Sequence, residues 1–172
     1  MLVRGTFAEC VVLETLILSI LNADSAVASA AARMITAADG RPIIEMGSRR
    51  TNELAAVSAA RAAYLAGFTA TSNLEAVHRY GIPGTGTAAH AWTLLHINDD
   101  GTPNEEAAFR SQVETHGTDT TLLVDTYDIT QGVKTAIEVA GTELGAVRID
   151  SGDLGVMTRK VRQQLDLSLI HI

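Results

Sequence analysis

From residue 42 onward the sequence repeats one grammar: a short apolar strand, a polar tip, then a helix. A chain written this way is confined to parallel strands joined by right-handed helical crossovers. Pro42–Met46 reads as a strand tipped by Gly47-Ser48-Arg49-Arg50, followed by an alanine-rich helix from about Glu53 to Ala66 that Gly67 closes. Phe68–Thr71 is the next strand, tipped by Ser72-Asn73, with a helix to Tyr80. The small-residue run from Gly81 to Ala89 leads into a third helix that begins at His90. After the solvated loop Asn98–Gly101, Thr102-Pro103-Asn104-Glu105 has capping-box spacing with proline at the first helical position, which predicts a helix to about Thr115. Thr120–Val124 is a strand tipped by Asp125-Thr126-Tyr127-Asp128, and Ile129–Val139 is an amphipathic helix. Ala146–Ile149 is a strand tipped by Asp150-Ser151-Gly152-Asp153, and Leu154–Leu165 is the last helix.

Parallel α/β folds deliver their strand tips to one face, where barrel and doubly wound enzymes place their sites. That face is expected to collect Arg49, Arg50, Ser72, Asn73, His90, Asp125, Arg148, Asp150, Ser151 and Asp153, while the strand interiors stay apolar.

The segment before residue 42 is helical in pattern. Glu9–Leu21 reads as a buried helix, and Asp24 reads as the cap of a second one, Ser25–Ala37, whose Ala/Ser faces permit close packing. Cys10–Leu21 is the most apolar stretch, but Glu14 interrupts it and it is too short to span a bilayer. With Cys10 as its single cysteine, the sequence offers neither a disulfide nor a cysteine-based metal site, and a cytoplasmic location is expected. The net charge of -7 with dispersed Lys and Arg argues against a nucleic-acid surface. An apolar helix so near Met1 suggests an amino-terminal truncation, and no basic, cleavable leader precedes it. Residues 167–172 break the preceding helical pattern and are expected to be a non-native tail.

Taken singly, each polar tip has a plain reading. The Gly/Thr stretch before His90 reads as a tight turn before it reads as a phosphate cradle, and it lacks the Lys-Ser/Thr of a P-loop. Arg49 and Arg50 suit a carboxylate or phosphate through bidentate hydrogen bonds, or they are a solvated pair. Asp150-Ser151-Gly152-Asp153 offers acceptors to sugar hydroxyls or hydrated Mg²⁺, or it is an Asx turn with a helix cap. Asp125 and Asp128 are open to the same cap reading. Together they supply groups for an anionic ring, hydroxyl or metal acceptors, and a histidine beside a Gly/Thr loop.

Six motifs in one order carry a resemblance. They are Gly5-Thr6-Phe7 with Leu13-Glu14-Thr15, Gly47-Ser48-Arg49-Arg50, Gly67-Phe68 with Thr71-Ser72-Asn73, Gly86-Thr87-Ala88-Ala89-His90, Asp125-Thr126-Tyr127-Asp128, and Arg148-Ile149-Asp150-Ser151-Gly152-Asp153. In this order the chain resembles the nicotinate phosphoribosyltransferases, from Gly5 to about Asp166. The resemblance implies part of an irregular (β/α) barrel of the type II phosphoribosyltransferase kind with an amino-terminal helical segment, residues 1–166 being a fragment of its central domain. It implies a reaction of nicotinate with 5-phosphoribosyl-1-pyrophosphate to give nicotinate mononucleotide and pyrophosphate, with ATP as co-substrate and Mg²⁺ as cofactor, in a cytoplasmic homodimer that engages neither nucleic acid nor membrane.

By the same resemblance His90 is phosphorylated by ATP, with Gly86 and Thr87 at the phosphate loop. Arg49 and Arg148 hold the pyridine ring and its carboxylate. Asp150 and Ser151 contact the ribose, Asp150 also serving the chemical step, and Asp125 or Asp153 acts through Mg²⁺ or the ribose hydroxyls. Nicotinamide-using relatives carry an acidic residue where this chain has Ser72, so a neutral hydroxyl near arginines favours the acid. Two departures stand out: Ala91 follows the histidine where some members have glutamate, and the family's amino-terminal domain and later glycine-rich phosphate loops are not in these residues. The fragment alone is therefore expected to be inactive. Competing readings are a nicotinamide phosphoribosyltransferase and a noncatalytic phosphosugar-binding α/β module.

Overall fold

The computed structural model describes residues 2–168, and the chain divides into two compact units, residues 1–86 and 87–172. The first unit opens with α1, a single helix Phe7–Ala38 of 32 residues. Thr6 and Glu9 form a reciprocal capping box at its start, and Asp39 closes it in the left-handed region at φ 51°. Two helices with a cap at Asp24 were expected, and the break does not form. The Asp24 carboxylate instead accepts from Ser58 Oγ at 2.6 Å and pairs with Arg61 at 3.6 Å, so it ties α1 to the next helix rather than capping a new one. The merged α1 is also long and apolar enough, by length and composition, to cross a membrane, which Cys10–Leu21 taken alone is not. Its second half packs through Ala31 and Ile35 against Ala63 and Phe68, while Phe7, Val12 and Ile20 of its first half are exposed.

Strand β1 (Ile44–Glu45) pairs in parallel with β2 (Ala70–Thr71), Ile44 opposite Ala70 and Glu45 opposite Thr71. Thr71 also makes a parallel bridge to Gly84, within the small-residue run that leads toward His90. Both strands are shorter than the sequence suggests. The Phe68 N–H is taken by Ala63 O at the end of the preceding helix, which delays the ladder. That helix is α2 (Glu53–Leu65), capped by Asn52, and Gly67 behind it sits at φ 118°. Helix α3 (Leu74–Tyr80) is capped by Asn73 and ends at Gly81, φ 66°. The core beneath them is small, centred on Val57, Ala60, Ala76 and Ile82, since alanine faces let helices approach closely but bury little area.

The second unit has the larger core. It runs through α4 (His90–Leu94), α5 (Glu105–His116), β3 (Thr121–Leu123), α6 (Ile129–Ala140), β4 (Ala146–Arg148) and α7 (Leu154–Leu167). β3 and β4 are parallel, with Thr121 opposite Ala146 and Leu123 opposite Arg148. Phe109, Leu122, Val124, Val133, Leu144, Val161 and Leu165 form one cluster against that pair, each large side chain contributing about 1.5–3 kcal/mol on burial.

The expected capping box at Thr102 does not form. Asn104 caps α5 by accepting from Ala107 N at 3.0 Å, while Pro103 lies in an antiparallel bridge to Ile97 and Thr102 bonds Asp100. Asn104 stands immediately before the first helical residue and takes the cap, because Thr102 is already committed to the Asn98–Thr102 loop. At the other end, Leu167 continues α7 and Ser168 closes it, whereas residues 169–172 of the expected tail lie outside the described residues.

Candidate active site

In the second unit, the tips of β3 and β4 meet the start of α4. Asp125, two residues past the end of β3, is 7% exposed and organises the rest. Its Oδ2 accepts from the Asp150 backbone N–H at 2.8 Å and from Ser151 Oγ at 2.6 Å, so one carboxylate oxygen builds the turn after β4. Its Oδ1 is buried without a hydrogen-bond partner and lies 3.9 Å from His90 Nε2. Asp150 Oδ2 is 3.6 Å from the same nitrogen. On the opposite edge of the ring, His90 Nδ1 is 3.2 Å from Thr126 Oγ1. The imidazole is thus framed by two carboxylates on one nitrogen and a hydroxyl on the other, with its side chain 38% exposed.

Arg148, the last residue of β4, reaches back over the loop before His90. Its Nη1 donates to Thr87 Oγ1 at 2.6 Å and to Ala88 O at 3.4 Å, and its Nη2 pairs with Asp150 Oδ2 at 2.8 Å. The guanidinium therefore joins the Gly/Thr loop to the carboxylate that faces His90. Asp153 is exposed and caps α7 by accepting from Val156 N at 3.1 Å, and Asp128 caps α6 through Gln131 N at 2.8 Å.

In the first unit the tip after β1 is a 3₁₀ turn, Ser48–Arg50, with both arginines exposed. Glu45 fixes it: one carboxylate oxygen accepts from the Gly47 N–H and the other from Thr71 Oγ1 at 2.7 Å. Asn73 Nδ2 donates to Ser48 Oγ at 3.0 Å while its oxygen caps α3. Ser72, between Thr71 and Asn73, is half-buried and its N–H donates to Glu45 O at 2.9 Å. Gly86 closes this unit's loop, with open space where a Cβ would lie.

Sequence reasoning named His90, Asp125, Arg148, Asp150 and Ser151, and the structure brings these five together. It missed the parts played by Thr126 and Glu45. A threonine inside an acidic tip and a glutamate inside an apolar strand carry no spacing signal that separates them from turn and edge residues.

The family model for the nicotinate phosphoribosyltransferase (NAPRTase) family matches residues 42–165. The chain belongs to the nicotinate phosphoribosyltransferase family. It is 67% identical over 166 residues to nicotinate phosphoribosyltransferase pncB1 of Mycobacterium tuberculosis, covering 95% of this chain and 37% of that protein. Against nicotinate phosphoribosyltransferase of Bacillus subtilis the identity is 40% over 174 residues, covering 96% of this chain and 34% of the other. The fold resembles the crystal structure of human nicotinic acid phosphoribosyltransferase with a TM-score of 0.70 at 26% identity, over 91% of this chain and 41% of that one. A nicotinate-nucleotide pyrophosphorylase from Pyrococcus furiosus gives a TM-score of 0.74 at 27% identity, over 86% and 39% of the two chains. The chain thus spans about a third of the length of these curated relatives.

Proposed function

We propose that the whole protein to which this chain corresponds is an ATP-coupled nicotinate phosphoribosyltransferase that forms nicotinate mononucleotide and pyrophosphate from nicotinate and 5-phosphoribosyl-1-pyrophosphate, in NAD biosynthesis. The observation that carries this reading is the setting of His90, partly exposed after a Gly/Thr loop and framed by Asp125, Asp150 and Thr126. A ring nitrogen of His90 attacks the terminal phosphorus of ATP, the N–P bond forms as the P–O bond to ADP breaks, and water later cleaves the phosphohistidine. The added charge and acceptor oxygens order the site for the phosphosugar. In the second reaction the pyridine nitrogen forms the bond to the anomeric carbon as pyrophosphate leaves with its electron pair. Carboxylates near that carbon favour the oxocarbenium-like transition state.

In this reading Asp150 and Ser151 face the ribose and Arg148 faces the nicotinate carboxylate. Arg148 then exchanges its bond to Thr87 for one to substrate, which links ligand arrival to the loop ahead of His90. Among the described residues no cluster of three or more His, Cys, Asp or Glu is placed to hold a metal. Asp125 Oδ1 nevertheless lacks a hydrogen-bond partner, and the donor set fits Mg²⁺ brought on a diphosphate and held by one or two carboxylates, Asp125, Asp150 or Asp153. Such an ion supplies charge neutralisation to the leaving group. The parallel pairs β1–β2 and β3–β4 support completion of an irregular barrel by the remaining length of the protein, and the homodimeric, cytoplasmic state carried by the resemblance belongs to the same proposal.

His90→Ala tests the reading in protein expressed at the length of its relatives. Acid-labile, base-stable phosphate should appear on the unsubstituted protein incubated with ATP and vanish in the variant, together with the stimulation of product formation by ATP. ATP stimulation that survives in His90→Ala would remove the histidine from the coupling.

A further inference from the structure

The two edges of the His90 ring are unlike. On the Nε2 side stand two carboxylates, Asp125 Oδ1 at 3.9 Å and Asp150 Oδ2 at 3.6 Å. A carboxylate oxygen is an acceptor only, so this side calls for a proton on Nε2. Asp125 presses the point, because its side chain is fully buried and its Oδ1 has no hydrogen-bond donor, whereas Oδ2 already holds two. A neutral imidazole carries one proton, so a proton on Nε2 leaves the Nδ1 lone pair free to accept. The group facing that lone pair is a hydroxyl, Thr126 Oγ1 at 3.2 Å, which can turn its proton toward it.

We infer that Thr126 is a positioning residue for the proposed phosphoryl transfer, holding His90 as the Nε2–H tautomer with Nδ1 presented as the nucleophile. The inference rests on the reading of His90 as phosphate acceptor and names the atom and the residue that select it. Asp125 and Thr126 are consecutive, so one turn after β3 addresses both edges of the ring: the buried carboxylate faces the Nε2 edge and the hydroxyl is within hydrogen-bond distance of Nδ1. As the N–P bond forms at Nδ1, the imidazolium charge develops beside Asp125 and Asp150, and Thr126 passes its hydrogen bond from the ring nitrogen to a phosphoryl oxygen. Upstream, the ring is placed by the Thr87–Ala89 loop that Arg148 holds, which leaves Thr126 to set its rotation.

The test uses protein expressed at the length of its relatives and labelled with ¹⁵N at histidine only, the His90 signals being identified by their loss in His90→Ala. In the unsubstituted protein, neutral His90 should show a protonated Nε2 and an unprotonated, hydrogen-bonded Nδ1. Thr126→Ser should preserve both signals. Thr126→Val, nearly equal in shape, should move Nδ1 toward the position of a free ring nitrogen and slow phosphohistidine formation about tenfold, the loss expected of one hydrogen bond. The KM for nicotinate should stay within about twofold in the same variant, because Thr126 acts on the ring and not on the base. A protonated Nδ1 in the unsubstituted protein overturns the inference, as does a Thr126→Val variant with unchanged nitrogen signals or an unchanged phosphorylation rate. If the unsubstituted protein forms no phosphohistidine, the functional reading fails by itself, while the nitrogen signals still decide the ring's tautomer and its bond to Thr126.

Discussion

At the scale of single residues, Asp125 is the one on which most of the site depends. Its Oδ2 satisfies the Asp150 N–H and the Ser151 hydroxyl together. Asp125→Ala leaves both donors without this acceptor, and a loss of about 1–3 kcal/mol in urea unfolding is expected, with activity lost beyond what destabilisation explains. Ser72 carries the prediction on base choice. Ser72→Asp in protein of natural length should turn the preference from nicotinate toward nicotinamide, because a carboxylate repels the acid and accepts the amide N–H. The check is the ratio of kcat/KM for the two bases, and an unchanged ratio removes Ser72 from selection. Thr126 and Glu45 were beyond the reach of sequence reasoning because their roles arise from partners distant in the chain: Thr126 meets His90 across 36 positions and Glu45 meets Thr71 across 26.

At the scale of elements, the strand tips were legible and the helix starts were not always so. Apolar runs closed by Asp, Ser or Gly marked β1 to β4 because strand burial and tip polarity are local properties of composition. Asp24 and Thr102 misled because a capping side chain and a side chain bonded elsewhere look alike in sequence: Asp24 bonds Ser58, and Thr102 bonds Asp100. Close approach of helix and strand is another property that only the structure exposes. A Cβ on Gly132 of α6 would lie 2.3 Å from Val124 O, so Gly132→Ala should destabilise the second unit by roughly 1–3 kcal/mol in chemical denaturation.

Glu105, at the start of α5, gives an element-level pH dependence. Burial first, and then the nearby charge of Asp128, raise its pKa to about 7, and its Oε1 has no hydrogen-bond partner. Since the folded pKa lies above the unfolded one, the folded state binds the proton more tightly. Stability from this group is present below the ordinary carboxylate range and is lost as pH rises toward 7. Thermal unfolding of Glu105→Gln should therefore be flatter than that of the unsubstituted protein between about pH 4.5 and 7, with the variant the more stable at the upper end. A pH profile identical to that of the unsubstituted protein would exclude Glu105 as its source.

At the scale of the whole molecule, the chain supplies a histidine, two acidic tips and two arginine-bearing tips within about a third of the length of its relatives. Family membership was legible in the sequence because six motifs kept their order, and that order reflects which tip follows which strand. The register of each strand pair was not, since it depends on partners that no local pattern specifies. The apolar first half of α1 belongs to the same problem. Phe7, Val12, Leu16 and Ile20 are each more than half exposed, where the sequence reads as a buried helix.

The measurement that bears most directly on the central claim is mononucleotide formation by protein of natural length, from 5-phosphoribosyl-1-pyrophosphate with nicotinate or nicotinamide, each with and without ATP. Product from nicotinate, stimulated by ATP, is the predicted result. Product from nicotinamide alone would contradict the base assignment, and a folded protein that binds the phosphosugar but turns over neither base would contradict the enzyme itself.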